Sequence, residues 1–135
     1  MYLVDTSVWI DFIRGKPTAA TKQLLDIFNA GQTVGISPVI FQEVLQGAES
    51  EQRFNQFKDY FMGLPFYYPK NAAASYADAA HIYFMCRRNG LTIRSTIDCL
   101  IAQTAIEHQL ILLHNDMDFK HIAKIIPALK LSLAH

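Results

Sequence analysis

Asp5, Glu43, Asp98 and Asp116 carry the chemical signal in this 135-residue chain. They are far apart in sequence, yet each lies just beyond an apolar run or near the start of a helix-like one, where strand ends and helix starts fall. Two unit charges about 4 Å apart repel by roughly 4 kcal/mol at an effective dielectric of 20, so gathering these groups requires a cation or protons. Oxygen-only donors suit Mg²⁺, with Mn²⁺ as a substitute. An ion held this way binds a phosphate oxygen, acidifies a bound water and neutralises charge during in-line attack. The chemistry expected of the set is metal-assisted phosphodiester hydrolysis.

The elements that must position these acids follow from periodicity and punctuation. An apolar run at residues 2–4 leads into Asp5-Thr6-Ser7 and an apolar stretch that stops at Gly15, which predicts a strand followed by a helix. In residues 18–30, Ala20, Leu24, Ile27 and Phe28 fall on one helical face, closed by Gly31. A second strand is expected at 33–36; Ser37-Pro38 then opens a helix that contains Glu43 and runs to Gly47. Ser50 starts another, with Phe54, Phe57 and Phe61 as its stripe, before a strand at 66–68. Residues 71–88 form the longest helical stretch, and Asn89-Gly90 ends it. Thr96 is expected to cap a helix over 97–108, with Asp98 in its first turn. A strand at 110–113 and a turn at 115–118 precede a short helix over 119–124, and Leu129, Leu131 and Leu133 alternate as a last strand.

Strands alternating with helices predict an α/β fold, a mostly parallel five-stranded sheet with helices on both faces, in one domain spanning residues 1–135. If the first strand and the strand at 110–113 are neighbours at a topological switch point, Asp5 and Asp116 meet in the crevice beyond the strand ends. Glu43 can reach that crevice from its helix.

Twelve basic residues balance twelve acidic ones, which excludes a generally basic nucleic-acid-coating protein but allows a local basic surface. Arg94, with Arg87 and Arg88 nearby, could hold phosphates beside the acids or simply complement a helix end. Cys86 and Cys99 form no ligand motif and are too few for a disulfide scaffold, so buried thiols in a reducing compartment are expected. The opening residues lack a basic leader, and no apolar stretch approaches the roughly 20 residues that cross a bilayer, which points to the cytoplasm. The histidines lack the spacing of zinc hydrolases. His114 alone lies near the acids, where it could assist proton transfer, touch phosphate or stabilise the turn.

Four stretches carry a resemblance: Leu3 to Asp11 (LVDTSVWID), Ile36 to Glu43 (ISPVIFQE), Thr92 to Ala102 (TIRSTIDCLIA) and Leu112 to Phe119 (LLHNDMDF). Together they resemble PIN-domain ribonucleases, and within these the VapC-type toxins. The likeness covers essentially the whole chain in the same order, and the Asp98 region is its most specific part. It implies a Mg²⁺- or Mn²⁺-dependent endoribonuclease that cuts a structured RNA such as tRNA or ribosomal RNA. Asp5, Glu43, Asp98 and Asp116 match the acidic quartet, with Asp5, Asp98 and Asp116 as metal ligands and Glu43 and Asp118 as further candidates. Thr6 matches a polar position beside the first acid, and His114 and Asn115 are accessory neighbours. Asp116 and Asp118 compete for the fourth place; Asp116 is preferred because it is nearer the strand end, while Asp118 can cap the next helix. The resemblance also implies a homodimer and a VapB-like antitoxin whose C-terminal segment covers the groove with a basic side chain. DNA is then met only through the antitoxin. Two rival readings stand beside this one: a DNA nuclease on the same scaffold, and a non-catalytic RNA- or antitoxin-binding module.

Overall fold

In the computed structural model, which describes residues 1–132, four short strands form one parallel sheet: β1 (Tyr2–Val4), β2 (Val34–Gly35), β3 (Ile111–Leu113) and β4 (Lys130–Leu131). Their order is β2-β1-β3-β4. Leu3 pairs with Gly35 on one side and Leu112 on the other, and Leu112 in turn pairs with Leu131. Leu3, Val4, Leu112 and Leu113 are fully buried, as expected of parallel strands covered on both faces. The chain leaves β1 toward β2 on one side, and β3 lies on the other side of β1. The switch point is therefore between β1 and β3.

Seven helices cover the sheet among the described residues: α1 (Thr6–Ile13), α2 (Ala19–Asn29), α3 (Pro38–Gln46), α4 (Glu51–Met62), α5 (Ala72–Arg88), α6 (Thr96–Glu107) and α7 (Met117–Ile125). They pack as two groups, α1 to α4 and α5 to α7, which right-handed crossovers place on opposite faces. Local side-chain caps start most of them. Thr18 and Thr21 form a capping box for α2, Ser37 accepts from the Ile40 N–H ahead of Pro38 in α3, and Ser50 accepts from the Arg53 N–H in α4. Trp9 locks the first group together, meeting Phe61 edge-on at a centroid distance of 4.9 Å and packing against Phe12 and Phe28. Cys86 and Cys99 are free and buried. No helix among the described residues is long and apolar enough to cross a membrane.

The sheet has four strands rather than the expected five. Residues 66–68 contribute a single parallel bridge, Ile36 to Phe66, with hydrogen bonds from the Ile36 N–H to the Pro65 carbonyl and from the Tyr67 N–H to the Ile36 carbonyl, each 2.9 Å. The ladder stops because its partner ends: Ser37 is already committed to capping α3, and Pro38 has no N–H to donate. The last strand is Lys130–Leu131, and the expected strand residue Leu133 lies outside the described residues. The start of α6 also differs. Ser95, not Thr96, is the cap, accepting from the Ile97 N–H at 3.2 Å. The last helix opens two residues earlier than its apolar pattern suggests, at Met117.

Gly35 permits the close seating of Tyr67 on this edge, because a β-carbon there would collide with the Tyr67 ring. Tyr67 is itself packed edge-on against His108 at 5.0 Å, so it cannot simply swing away. Gly35→Ala should therefore destabilise the protein by about 1–3 kcal/mol, the usual cost of overpacking. Thermal unfolding followed by circular dichroism checks this; an unchanged midpoint would show that the ring relocates freely.

Candidate active site

The acids gather where β1 and β3 end side by side. The Asp5 N–H donates to the Leu113 carbonyl at 2.9 Å, so the residues just beyond the two strands leave the sheet together. Asp5 is also the N-cap of α1. Its Oδ2 accepts from the Ser7 N–H at 3.3 Å and from Ser7 Oγ at 2.7 Å. The carboxyl is buried, with 5% exposure, and that burial raises its pKa against the lowering effect of the Ser7 and Thr6 hydrogen bonds; the Glu43 charge adds to the rise.

Thr6, the next residue, donates its hydroxyl to Glu43 Oε1 at 2.7 Å, tying the start of α1 to α3. That bond sets the orientation of Glu43, which sits half-buried on the exit side of β2. Across the crevice, Asp98 occupies the first turn of α6. Its pKa is pushed up to about 7, first by burial and then by the charges of Asp5, Asp116, Asp118 and Glu43. Asp98 therefore registers all four of the other acids.

The turn after β3 supplies the remaining pair. Asp116 caps α7, with Oδ1 accepting from the Asp118 N–H at 2.9 Å, while its own N–H donates to His114 Nδ1 at 3.1 Å. Asp118, 3% exposed, faces back into the crevice and accepts the Arg94 N–H on Oδ2 at 3.0 Å. The expected division of labour is thus altered: Asp116 is the helix cap, and Asp118 is the deeper carboxylate. Each of Asp98, Asp116 and Asp118 offers an oxygen within 4.8 Å of the others'. Asp5 and Glu43 flank that triad and are coupled to it through charge.

The other candidates fall into distinct places. His114 is buried beneath the turn, edge-on to Phe119 at 5.5 Å, and its Nδ1 accepts the Asp116 N–H, a geometry that stabilises the turn. Asn115 is exposed at the rim. Arg94 pairs with Asp116 and Asp118, at 2.9 and 3.5 Å. Arg87 and Arg88 are exposed at the end of α5, where the Arg88 guanidinium lies over the Phe84 ring at 5.6 Å. Ser7, as a partner of Asp5, was signalled only by the local Asp-Thr-Ser pattern, in which an aspartate accepts from the residue two ahead.

A donor set made only of carboxylate oxygens and short of positive charge fits a hard divalent cation. In its absence the raised pKa of Asp98 predicts a defined pH response. The folded state holds this proton more tightly than the unfolded chain, from an ordinary 3.8 up to about 7, so stability falls as pH rises through that window and stays lower above it. Asp5 acts in the same direction. Asp98→Asn should therefore stabilise the metal-free protein near pH 8 by about 1–2 kcal/mol, the shift being discounted because Asp98 keeps contact with water. The gain should vanish below about pH 3, where the carboxyl is protonated in both states. Thermal melts in chelator at the two pH values check the sign; equal gains at both would refute it.

Known proteins share this architecture. Residues 2–125 match the PIN domain family. The VapC ribonuclease Mb1587 of Mycobacterium bovis and the ribonuclease VapC11 of Mycobacterium tuberculosis are each 33% identical over 126 residues, covering 93% of this chain and 93% of the relative. Among solved structures, VapBC2 from Rickettsia felis, bound to a promoter DNA fragment, superposes with a TM-score of 0.73 at 22% identity, over 97% of this chain and 96% of the other. VapBC-1 from nontypeable Haemophilus influenzae gives 0.72 at 18% identity, over 97% and 96%. The shared fold, the family match over nearly the whole length and the extent of identity lead to one conclusion: the chain belongs to the PIN-domain family and is a homologue of the VapC ribonucleases.

Proposed function

We propose that this protein is a divalent-metal-dependent endoribonuclease acting as the toxin of a toxin–antitoxin pair. The observation that carries the reading is the convergence of Asp98, Asp116 and Asp118 within 4.8 Å, flanked by Asp5 and Glu43, in the crevice beyond β1 and β3. The VapC ribonucleases of similar sequence support the RNA-cleaving assignment. The VapBC complexes of like fold support a VapB-like antitoxin as partner.

In this reading Asp98, Asp116 and Asp118 hold Mg²⁺, or Mn²⁺ in its place, with Asp5 beside them. When bound, the ion supplies Lewis acidity toward a phosphate oxygen and a more acidic water. The protein's own groups do the positioning. Ser7 fixes the Asp5 carboxylate through two hydrogen bonds to one oxygen. Thr6 occupies Glu43 Oε1, so Oε2 is the atom available to orient water and accept its proton. Asp98 must lose its own proton before it can act as a ligand, so cation uptake should release protons and weaken as pH falls below about 7. The substrate is a structured RNA of the tRNA or ribosomal RNA class, the protein works as a homodimer in the cytoplasm, and contact with DNA runs through the antitoxin.

The test uses the purified protein with bulk tRNA, ribosomal RNA and duplex DNA. Cleavage of RNA in Mg²⁺ or Mn²⁺ and its loss in chelator are expected, and preferential cleavage of DNA would favour the rival nuclease. Asp5→Asn and Asp98→Asn should each retain the fold by circular dichroism but reduce cleavage by at least about a hundredfold, since even outer partners of metal ligands cost 10–100-fold. Asp118→Asn should fall just as far, because Asp118 lies inside the triad. A fully active Asp5→Asn/Asp98→Asn double variant would end this reading.

A further inference from the structure

The acidic centre already contains a cation of its own. Arg94, on the segment between α5 and α6, sends three donors to the two acids after β3: its backbone N–H to Asp118 Oδ2 at 3.0 Å, Nη2 to Asp116 Oδ1 at 2.9 Å, and Nε toward Asp118 Oδ2 at 3.5 Å. The partners are unequally exposed. The Arg94 side chain is 72% exposed, while that of Asp118 is 5% exposed. The carboxylates are held by the fold, and the guanidinium is held mainly by them.

The charge arithmetic requires some such group. Asp98, Asp116 and Asp118 present their oxygens within 4.8 Å of one another, and Asp98 also senses Asp5 and Glu43. A guanidinium on two of these acids offsets the repulsion. It also opposes a divalent ion at the same oxygens, because the two cations repel each other. A water-exposed ion pair is worth little, so an incoming ion can displace it. The backbone hydrogen bond to Asp118 does not depend on the guanidinium, and it keeps residue 94 at the rim after the side chain has left.

We propose that Arg94 is a built-in counter-cation of the acidic centre: its guanidinium neutralises Asp116 and Asp118 until a divalent ion replaces it, and the freed side chain then meets a phosphate of the RNA. The proposal rests on the metal-nuclease reading and deepens it by coupling ion loading to substrate contact. Arginine suits the second task because its planar fork matches phosphate oxygens. Coupling of this kind is reciprocal, so RNA that captures Arg94 also favours ion binding. Arg94 is thus a positioning residue with two alternate anionic partners.

Calorimetric titration of Mn²⁺ into wild type, Arg94→Gln and Arg94→Lys at low salt tests the first half. Arg94→Gln should bind Mn²⁺ roughly two- to fivefold more tightly, the range that losing an exposed competing ion pair allows. Arg94→Lys, which keeps the charge, should stay near wild type. A residue that merely braced the acids would give the opposite result, so equal or weaker Mn²⁺ binding by Arg94→Gln overturns the proposal. Fluorescence anisotropy with a labelled oligoadenylate, in chelator and in Ca²⁺, tests the second half. Adding Ca²⁺ should strengthen RNA binding more in wild type than in Arg94→Gln, and an equal gain would refute the phosphate contact. Wild type that takes up no Mn²⁺ would overturn the metal reading itself, and this inference with it; uptake by wild type without a change in Arg94→Gln would sink this inference alone.

Discussion

Electrostatic crowding at the junction of β1 and β3 is the constraint around which this molecule is arranged. Burial first, and then the charges of Asp5, Asp116, Asp118 and Glu43, push the Asp98 pKa up to about 7 in the metal-free fold. The protein offsets part of this strain by its architecture. Asp5 caps α1, Asp98 lies in the first turn of α6, and Asp116 caps α7, so three helices turn their N-terminal ends toward the same acids. Each N-terminus carries partial positive charge and unsatisfied N–H groups that favour a nearby carboxylate. The remaining deficit of positive charge is what a cation satisfies.

The hydrogen bonds around the acids fix the orientation of their carboxylates. Ser7 takes one oxygen of Asp5, Thr6 one of Glu43, the Asp118 N–H and Arg94 share one of Asp116, and Arg94 engages one of Asp118. In each case these bonds hold the carboxylate in one orientation. A carboxylate oriented in this way loses little freedom on binding an ion, which is the benefit of preorganisation. His114 serves the same end from below, receiving the Asp116 N–H and supporting the turn that delivers both aspartates. The sheet beneath is short, and the fully buried Leu3, Val4, Leu112 and Leu113 of its central strands form the floor of the site.

Much of the fold was legible because its signals are local. Ser37-Pro38 and Ser50 announce helices through hydrogen bonds within one turn, and the stripe of Phe54, Phe57 and Phe61 follows helical geometry. The strand expected at 66–68 failed for the converse reason: a strand needs a partner with free donors and acceptors, and β2 runs into a capping serine and a proline. Competition between neighbours was also hard to read. Ser95 and Thr96 are both competent caps, as are Asp116 and Asp118, and the choice depends on which backbone N–H each side chain can reach once the helix is docked.

The amino-acid order alone determined the alternation of strands and helices, the placing of Asp5, Asp98 and Asp116 at element ends and of Glu43 inside the helix after the second strand, and an oxygen-only donor set suited to a hard cation. These properties follow from side-chain type and from periods of a few residues. Only the tertiary structure decided that Asp118 lies within the triad while Asp5 and Glu43 flank it, that Thr6 holds Glu43 across 37 positions, and that Arg94 rests on Asp116 22 positions away. The physical reason is that a cation or hydroxyl settles on whichever anion packing brings within about 3 Å, and spacing along the chain does not encode that distance.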